Sequence, residues 1–220
     1  MKGEVRSAKR EPETLVCFAL KEEAAPFRGI AARRPDVQIL ITGIGRKNAE
    51  RSLRTFLTAH SPQLVLTCGF AGGLNPNLAV GTVIFETAES RLAERLLAAA
   101  AKPAKFHCAD RIAATATEKA ELRQRSGADA VEMESAAIQS VCRERGLPCA
   151  TVRVILDSAN EDLPLDFNQL GKADYRMDYG KLAWAIVKSP RKISSLLRLQ
   201  AQCRHAGILL ASILWNVLGA

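Results

Sequence analysis

The sequence has few aromatic residues, and its six cysteines form no C-x-x-C pair. Phe, Trp and Tyr make up 5% of the 220 residues, which leaves few stacking platforms for single-stranded nucleic acid. Most of the cysteines lie inside apolar runs, so we expect buried, reduced thiols rather than a metal site or a disulfide framework. We therefore predict no metal, no cofactor and no nucleic-acid partner.

Internal repeats, low-complexity tracts and Ser/Gly-rich linkers are absent as well. The first 13 residues are polar and mixed in charge, without the apolar region that a secretory signal requires. A chain of this length with 48% hydrophobic residues can form one globular domain. We expect a cytoplasmic protein with one α/β domain over 1–190 and a helical tail over 191–220 that belongs to the domain or faces a membrane.

Short apolar runs rich in β-branched residues alternate with segments of helical character. The predicted strands are 14–20, 37–42, 64–68, 80–85 and 149–156. The predicted helices are 47–59, 90–101, 117–124 and 134–145. This alternation indicates an α/β fold with a central mixed, mainly parallel sheet flanked by helices. Ligands bind such sheets at the carboxyl ends of the strands.

Acidic residues and glycines follow four of the predicted strands. They are Glu22 and Glu23, the glycines within 43–45, the glycines within 69–73, and Asp157. Each has an ordinary structural explanation, since glutamates favour a helix N-terminus, glycines form tight turns and aspartate is a common cap. The glycine clusters match neither G-x-G-x-x-G nor a P-loop. Taken singly, these residues do not define a function.

Five segments of the chain form an ordered set of motifs: A-L-K-E-E at 19–23, T-G-I-G-R-K-N-A at 42–49, C-G-F-A-G-G-L at 68–74, V-E-M-E-S-A-A at 131–137 and R-V-I-L-D at 153–157. Together they resemble the nucleoside phosphorylase and methylthioadenosine/S-adenosylhomocysteine nucleosidase superfamily. The resemblance covers about residues 14–162. The spacing and the tail look most like the hopanoid-associated branch, whose members remove adenine from adenosylhopane.

The resemblance implies a role for four charged residues. Cleavage of an N-glycosidic bond needs an acid at the base and a nucleophile at C1′. Asp157 matches the acid that protonates the base, and Glu23 matches the glutamate that activates water. Glu134 matches the carboxylate that binds the ribose hydroxyls, and Arg153 matches the strand arginine that helps to hold the water. A charge in the apolar run around Arg153 is costly unless it is paired, which favours such a role.

The resemblance also implies further substrate contacts and shows two departures. The additional residues expected to contact the substrate are Met133, Glu132, Phe70, Ala71, Gly72 and Ile112. Phe70 stands where related nucleosidases carry a small hydroxyl residue, and Leu156 stands where a serine precedes the acid. The segment between Phe85 and His107 is short relative to the family, which would leave room for a bulky 5′ substituent.

Hydrolysis and phosphorolysis both fit this family. Phosphate binding needs cationic donors beside the glycine-rich loops. No arginine lies within 69–73, and only Arg46 and Lys47 follow the other glycine loop. We therefore expect a hydrolase acting on a 5′-substituted adenine nucleoside, with a nucleoside phosphorylase as the alternative. A catalytically inactive ligand-binding or membrane-associated protein is a further alternative, because Phe70 and Leu156 depart from the family pattern.

The C-terminal region is basic and ends in an apolar run. Residues 179–220 contain no Asp or Glu, and the uncharged run 206–220 has 15 residues, fewer than the ~18 to 20 that span a bilayer. The run can form a helix packed on the sheet, a dimer-interface helix, or an interfacial helix at a membrane surface. The family implies a homodimer, and the basic tail predicts peripheral contact with the inner face of the membrane.

Overall fold

A computed structural model describes residues 13–165, 168 and 193–219, and these form an α/β fold. The strands are β1 (Thr14–Phe18), β2 (Val37–Ile41), β3 (Leu64–Gly73), β4 (Val83–Thr87), β5 (Lys102–Pro103), β6 (Phe106–Cys108), β7 (Ala130–Glu132) and β8 (Cys149–Asp157). The helices are α1 (Lys21–Ala31), α2 (Arg46–Phe56), α3 (Ser90–Ala98), α4 (Ala116–Ser126), α5 (Ser135–Glu144) and α6 (Ile193–Gly219). The predicted fold class is confirmed, and the predicted strands and helices all occur with shifted ends.

The eight strands form one mixed sheet. The order is β2-β1-β3-β8-β4-β5, with β7 pairing antiparallel to the end of β3 and parallel to β6. Strands β2, β1, β3 and β8 are mutually parallel, and β4 runs antiparallel to β8. The carboxyl ends of β1, β3 and β8 therefore meet at one edge of the sheet, where a ligand site is expected.

Apolar side chains cover both faces of the sheet because successive residues of a strand point to opposite sides. In β1, Val16 and Phe18 belong to the larger cluster, which also takes buried residues from α1, α3 and α6. Leu15 and Cys17 face the other side, where α2 and α5 pack. All six cysteines lie in the described part of the chain; the predicted burial is found for Cys17, Cys68 and Cys142, whereas the other three are only partly buried.

Strand β3 is longer than the sequence suggests. The predicted strand ended at residue 68 and was followed by a glycine loop, but β3 continues to Gly73. The glycine segment remains extended because β8 pairs with it in parallel and β7 pairs antiparallel at Gly72 and Gly73. The register between β3 and β8 shifts after Ala71, so that Gly72 pairs with Asp157.

Helix α6 packs on the domain. Its buried residues, Ala206, Leu210, Ala211, Leu214, Val217 and Leu218, belong to the larger apolar cluster. Of the three interpretations of the tail, this packing supports the first for residues 206–218. On the opposite side, Leu197, Ile208 and Trp215 are exposed, and we call these three residues the outer face of α6. Within the described ranges, no helix is long and apolar enough to cross a membrane.

Candidate active site

Four acidic residues and one arginine meet at the carboxyl ends of β1, β3 and β8. Glu23 lies in the first turn of α1, and Arg153 and Asp157 lie on β8. Glu132 ends β7 and Glu134 lies at the start of α5. The structure thus brings together the five charged residues that the sequence singled out.

Glu23 is buried, and its carboxylate accepts two backbone hydrogen bonds. The donors are the N–H of Leu20 to Oε2 at 3.0 Å and the N–H of Phe70 to Oε1 at 3.1 Å. Burial raises the pKa of Glu23, while the nearby charge of Arg153 and the backbone donors act to lower it. A carboxylate with a raised pKa and fixed orientation is suited to accept a proton from water.

Arg153 is 1% exposed and is held mainly by Glu132. Its Nη2 donates to Glu132 Oε2 at 2.8 Å and to Thr67 Oγ1 at 3.1 Å. Glu132 also accepts from the backbone N–H groups of Glu134 and Ser135 and from the Ser135 hydroxyl. Although burial acts to raise the pKa of Glu132, the charge of Arg153 and these donors lower it overall. Glu132 is thus an ionised anchor for the arginine.

The other nitrogens of Arg153 have no hydrogen-bond partner among the described residues. Its Nε and Nη1 are buried, and neither is hydrogen-bonded within the described part of the chain. Leaving a buried charged donor unpaired is expensive, so such atoms usually bind water or a ligand. Arg153 is near enough to influence the pKa of both Glu23 and Glu134. These two nitrogens therefore mark a polar binding position beside the two glutamates.

Glu134 connects the glycine-containing loop at 43–45 to this cluster. Its Oε1 accepts from the N–H of Gly45 at 2.8 Å, and its Oε2 lies 3.6 Å from Arg153 Nη2. Burial raises the pKa of Glu134 to about 7, with Glu132 and Glu23 adding to the effect and Arg153 opposing it. Because Oε2 has only this long contact, it retains the capacity to accept from a ligand hydroxyl.

Asp157 ends β8 and forms an ion pair with Lys119 of α4, whose side chain is fully buried. The Asp157 side chain is 15% exposed. Burial raises its pKa, and the ion pair with Lys119 opposes that effect. Gly72 pairs with Asp157, and the backbone of β3 lies close to the carboxylate, since a Cβ on Gly72 would lie 3.5 Å from Oδ2.

The glycine segment of β3 contributes mostly backbone to the site. Phe70 directs its ring towards the α6 side of the sheet, where it packs on the larger apolar cluster beside Gly207. Ala71 is buried against Ile84 and Ile155 on the other face. The large side chain at position 70 is thus accommodated by helix packing, while its N–H orients Glu23.

Of the remaining predicted contacts, Met133 adjoins the charged cluster in the chain, whereas the contacts of Ile112 are with Asn168. Met133 is half-buried and lies in the turn that joins β7 to α5, between Glu132 and Glu134 in the chain. Ile112 exchanges two backbone hydrogen bonds with the side-chain amide of Asn168, at 2.9 Å each. Leu156, the second departure from the family pattern, is partly buried against the larger apolar cluster.

Lys119 is the residue that the sequence interpretation missed. The segment 117–124 was predicted as a helix, but nothing in its pattern assigned the lysine a role. The available signal was that Lys119 and Leu122 are three residues apart and therefore share a helix face. A lysine on the apolar side of a short helix is a candidate for a buried ion pair.

Comparisons with known proteins agree with this architecture. Residues 22–89 and 85–188 match the Phosphorylase superfamily. The 5′-methylthioadenosine/S-adenosylhomocysteine nucleosidase of Glaesserella parasuis serovar 5 (strain SH0165) is 30% identical over 169 residues, covering 61% of this chain and 73% of that protein. The protein of the same name from Shewanella halifaxensis (strain HAW-EB4) is 26% identical over 170 residues, covering 61% and 74%.

Solved structures share the fold at low sequence identity. The futalosine hydrolase of Helicobacter pylori strain 26695 has a TM-score of 0.72 and 16% identity, covering 94% of this chain and 97% of that one. The Helicobacter pylori 5′-methylthioadenosine/S-adenosylhomocysteine nucleosidase, solved with butyl-thio-DADMe-Immucillin-A, has a TM-score of 0.73 and 16% identity, covering 95% and 98%. Because the family match spans residues 22–188 and includes every charged residue of the site, the chain belongs to the phosphorylase superfamily.

Proposed function

We propose that the protein hydrolyses the N-glycosidic bond of a 5′-substituted adenine nucleoside. The observation that carries the proposal is the pair of buried, unpartnered nitrogens of Arg153 beside Glu23. They would bind a water molecule that Glu23 deprotonates for attack on C1′. The relatives in sequence are named as nucleosidases and one fold neighbour as a hydrolase, which supports an enzyme that uses water.

The spacing of the acidic residues suits a single displacement by water. Glu23 contacts β3 at Phe70, whereas Asp157 pairs with Gly72. Two residues along a strand separate these two contact points by roughly 7 Å. Hydrolases that activate a water on the face opposite the leaving group separate their two carboxyl groups by a similar distance, roughly 6.5–9.5 Å. In this proposal Asp157 protonates the departing base.

The remaining polar groups would orient the ribose. Glu134 would accept hydrogen bonds from the 2′ and 3′ hydroxyls through Oε2, and Met133 would pack on the sugar. Fixing the diol holds C1′ against the water, and such positioning can account for several kcal/mol of a barrier. Glu132 would act through Arg153. We propose that the backbone of Ala71 and Gly72 and the residue Ile112 border the base.

The 5′ substituent is proposed to be apolar and long, as in adenosylhopane. Cys203 lies in the first half of α6. Burial raises the pKa of its thiol most, and the charges of Glu23 and Asp157 raise it further, so this part of α6 is close to both carboxylates. Two apolar residues are exposed at the helix starts, Leu20 before α1 (40%) and Leu197 in the first turns of α6 (61%). An apolar substituent could leave the ribose site along α6. The outer face of α6 would then contact the membrane, and the expected homodimer stays a prediction.

The test is base release measured with two substrates and two variants. Adenine release from methylthioadenosine and from a 5′-alkylated adenosine would be followed with and without phosphate, and the sugar product analysed for phosphorylation. We expect phosphate-independent release, preference for the alkylated substrate, and a loss of about 10²–10⁴-fold in Asp157→Asn. Strict phosphate dependence would indicate phosphorolysis. Absence of release in both wild type and Asp157→Asn would indicate a binding protein.

A further inference from the structure

A lysine with no exposed surface lies behind Asp157. Lys119 is 0% exposed, and its Nζ donates to the backbone oxygens of Ser158 at 2.7 Å and Glu161 at 2.8 Å. Its third contact is the ion pair with Asp157 Oδ2. An ammonium has three N–H donors; two of them are used by these backbone oxygens, and the charge is paired with the Asp157 carboxylate. Lys119 thereby ties the end of β8 to the segment that follows it.

Stability alone is a weak reason to bury this ion pair. Removing two charges from water costs several kcal/mol per ion, and a well-packed apolar pair of similar volume is often equally stable or more stable. Around Lys119, helix α4 otherwise contributes apolar contacts through Leu122 to a small cluster. The pairing is better explained by what it does to the carboxylate at the edge of the site.

We propose that Lys119 is a positioning residue that holds Oδ2 of Asp157, so that Oδ1 is presented to the nucleobase in one orientation. Oδ2 is buried, so the exposed fraction of the side chain leaves Oδ1 as the oxygen available to a base. The two carbonyl contacts prevent the ammonium from following the aspartate if the side chain rotates. This inference rests on the proposed role of Asp157 as the acid.

The charges that face Asp157 determine how the pH profile responds. Burial and the charge of Glu161 raise the pKa of Asp157, and Lys119 from α4 lowers it. From α6, the thiol of Cys203 is close enough for Asp157 to affect its pKa. Without the Lys119 ammonium, burial and the charge of Glu161 remain, and both raise the pKa of Asp157. Since a general acid works in its protonated form, the alkaline limb of kcat/KM then moves to higher pH.

The experiment compares Lys119→Met and Lys119→Arg with the wild type. In Lys119→Met we expect kcat to fall about 10–100-fold, KM to change less than about threefold, and the alkaline limb to rise by about one pH unit. Lys119→Arg keeps the charge, so its alkaline limb stays at the wild-type pH. Arg125→Met removes an exposed cation from the same helix and is expected to behave as wild type.

Two outcomes would overturn the inference while leaving the proposed function intact. One is an active wild type whose Lys119→Met variant keeps both kcat and the alkaline limb. The other is a Lys119→Met/Asp157→Asn double variant that is at least tenfold slower than Asp157→Asn, because Lys119 would then act through another group. The double variant, which carries neither charge, also provides the test if Lys119→Met does not fold. Failure of the proposed function is distinguished by a wild type that releases no base.

Discussion

The carboxylate of Glu23 lies directly against the α-carbon of Gly69. A Cβ at that glycine would be 2.8 Å from Oε1, and the Gly69 φ of +150° is one that other residues rarely adopt. We expect Gly69→Ala to displace Glu23 and reduce kcat by at least tenfold, since a small misplacement of a reacting group is enough for such a loss. Steady-state assays of base release would measure it.

The matched control is Gly29→Ala. Gly29 lies in α1, and a Cβ there meets nothing within 4 Å. This substitution is expected to leave kcat unchanged and to stabilise the helix by about 0.5–1 kcal/mol. Equal activity of the two alanine variants would contradict the importance of the Gly69–Glu23 contact.

Replacement of Glu23 by glutamine separates proton transfer from binding. The amide has one acceptor oxygen for two backbone donors and cannot take a proton from water. We expect Glu23→Gln to lower kcat by about 10²–10³-fold with a smaller change in KM. The adjacent Glu22 is exposed, so Glu22→Gln serves as the control. A Glu23→Gln variant within threefold of wild-type kcat would exclude Glu23 as the base.

Glu134 should make the protein less stable as the pH rises. Its folded-state pKa is about 7 because of burial, against an ordinary value of 4.5. The folded state therefore binds the proton of Glu134 more tightly than the unfolded state. The resulting contribution to the free energy of unfolding is complete below pH 4.5 and is lost as the pH rises through about 7. Glutamine does not ionise, so Glu134→Gln does not lose stability in this way. Between pH 4.5 and pH 7 and above, the free energy of unfolding of the variant should rise relative to wild type by on the order of 3 kcal/mol.

Thermal unfolding at pH 4.5, 6 and 8 would measure this difference. The gap in Tm between Glu134→Gln and wild type is expected to widen in favour of the variant as the pH increases. Glu22→Gln, which changes an exposed carboxylate, should show no such trend. A constant gap would mean that Glu134 does not take up a proton near neutral pH.

The outer face of α6 can be tested for membrane contact by vesicle co-sedimentation. Ending the chain at Pro190 would remove buried residues of α6, so surface substitutions are the cleaner test. We expect wild type to bind vesicles containing anionic lipid, more strongly at low salt. Serine at positions 197, 208 and 215 should reduce the bound fraction severalfold, because apolar insertion is lost.

Leu97 provides the control for this experiment. It is 51% exposed but lies on α3, so Leu97→Ser should leave vesicle binding unchanged. If the outer-face variant and wild type sediment equally, the outer face does not bind lipid. If neither the outer-face variant nor wild type binds vesicles, the prediction of peripheral membrane contact is wrong.

Much of the fold was predictable because its central strands are continuous apolar runs. The positions of Glu23 and Asp157 at the sheet edge followed from their places after predicted strands, whereas Glu134 was indicated by the family resemblance alone, because the short strand β7 before it was not predicted. The extension of β3 through its glycines was not predictable, because it depends on pairing with distant β7 and β8. Lys119 was missed for a similar reason, since its partner Asp157 lies 38 residues further along the chain.

The packing of α6 also constrains how the protein is made. Leu214 and Val217 complete an apolar cluster that begins with Val16 of β1. During synthesis, the α1 side of the sheet is therefore only partly covered, by α1 and α3, until almost the whole described chain has left the ribosome. Long-range contacts of this kind slow folding and leave apolar surface open to aggregation. A nonsense mutation between residues 158 and 205 should consequently yield an insoluble or degraded product, even though every charged residue of the site has already been translated.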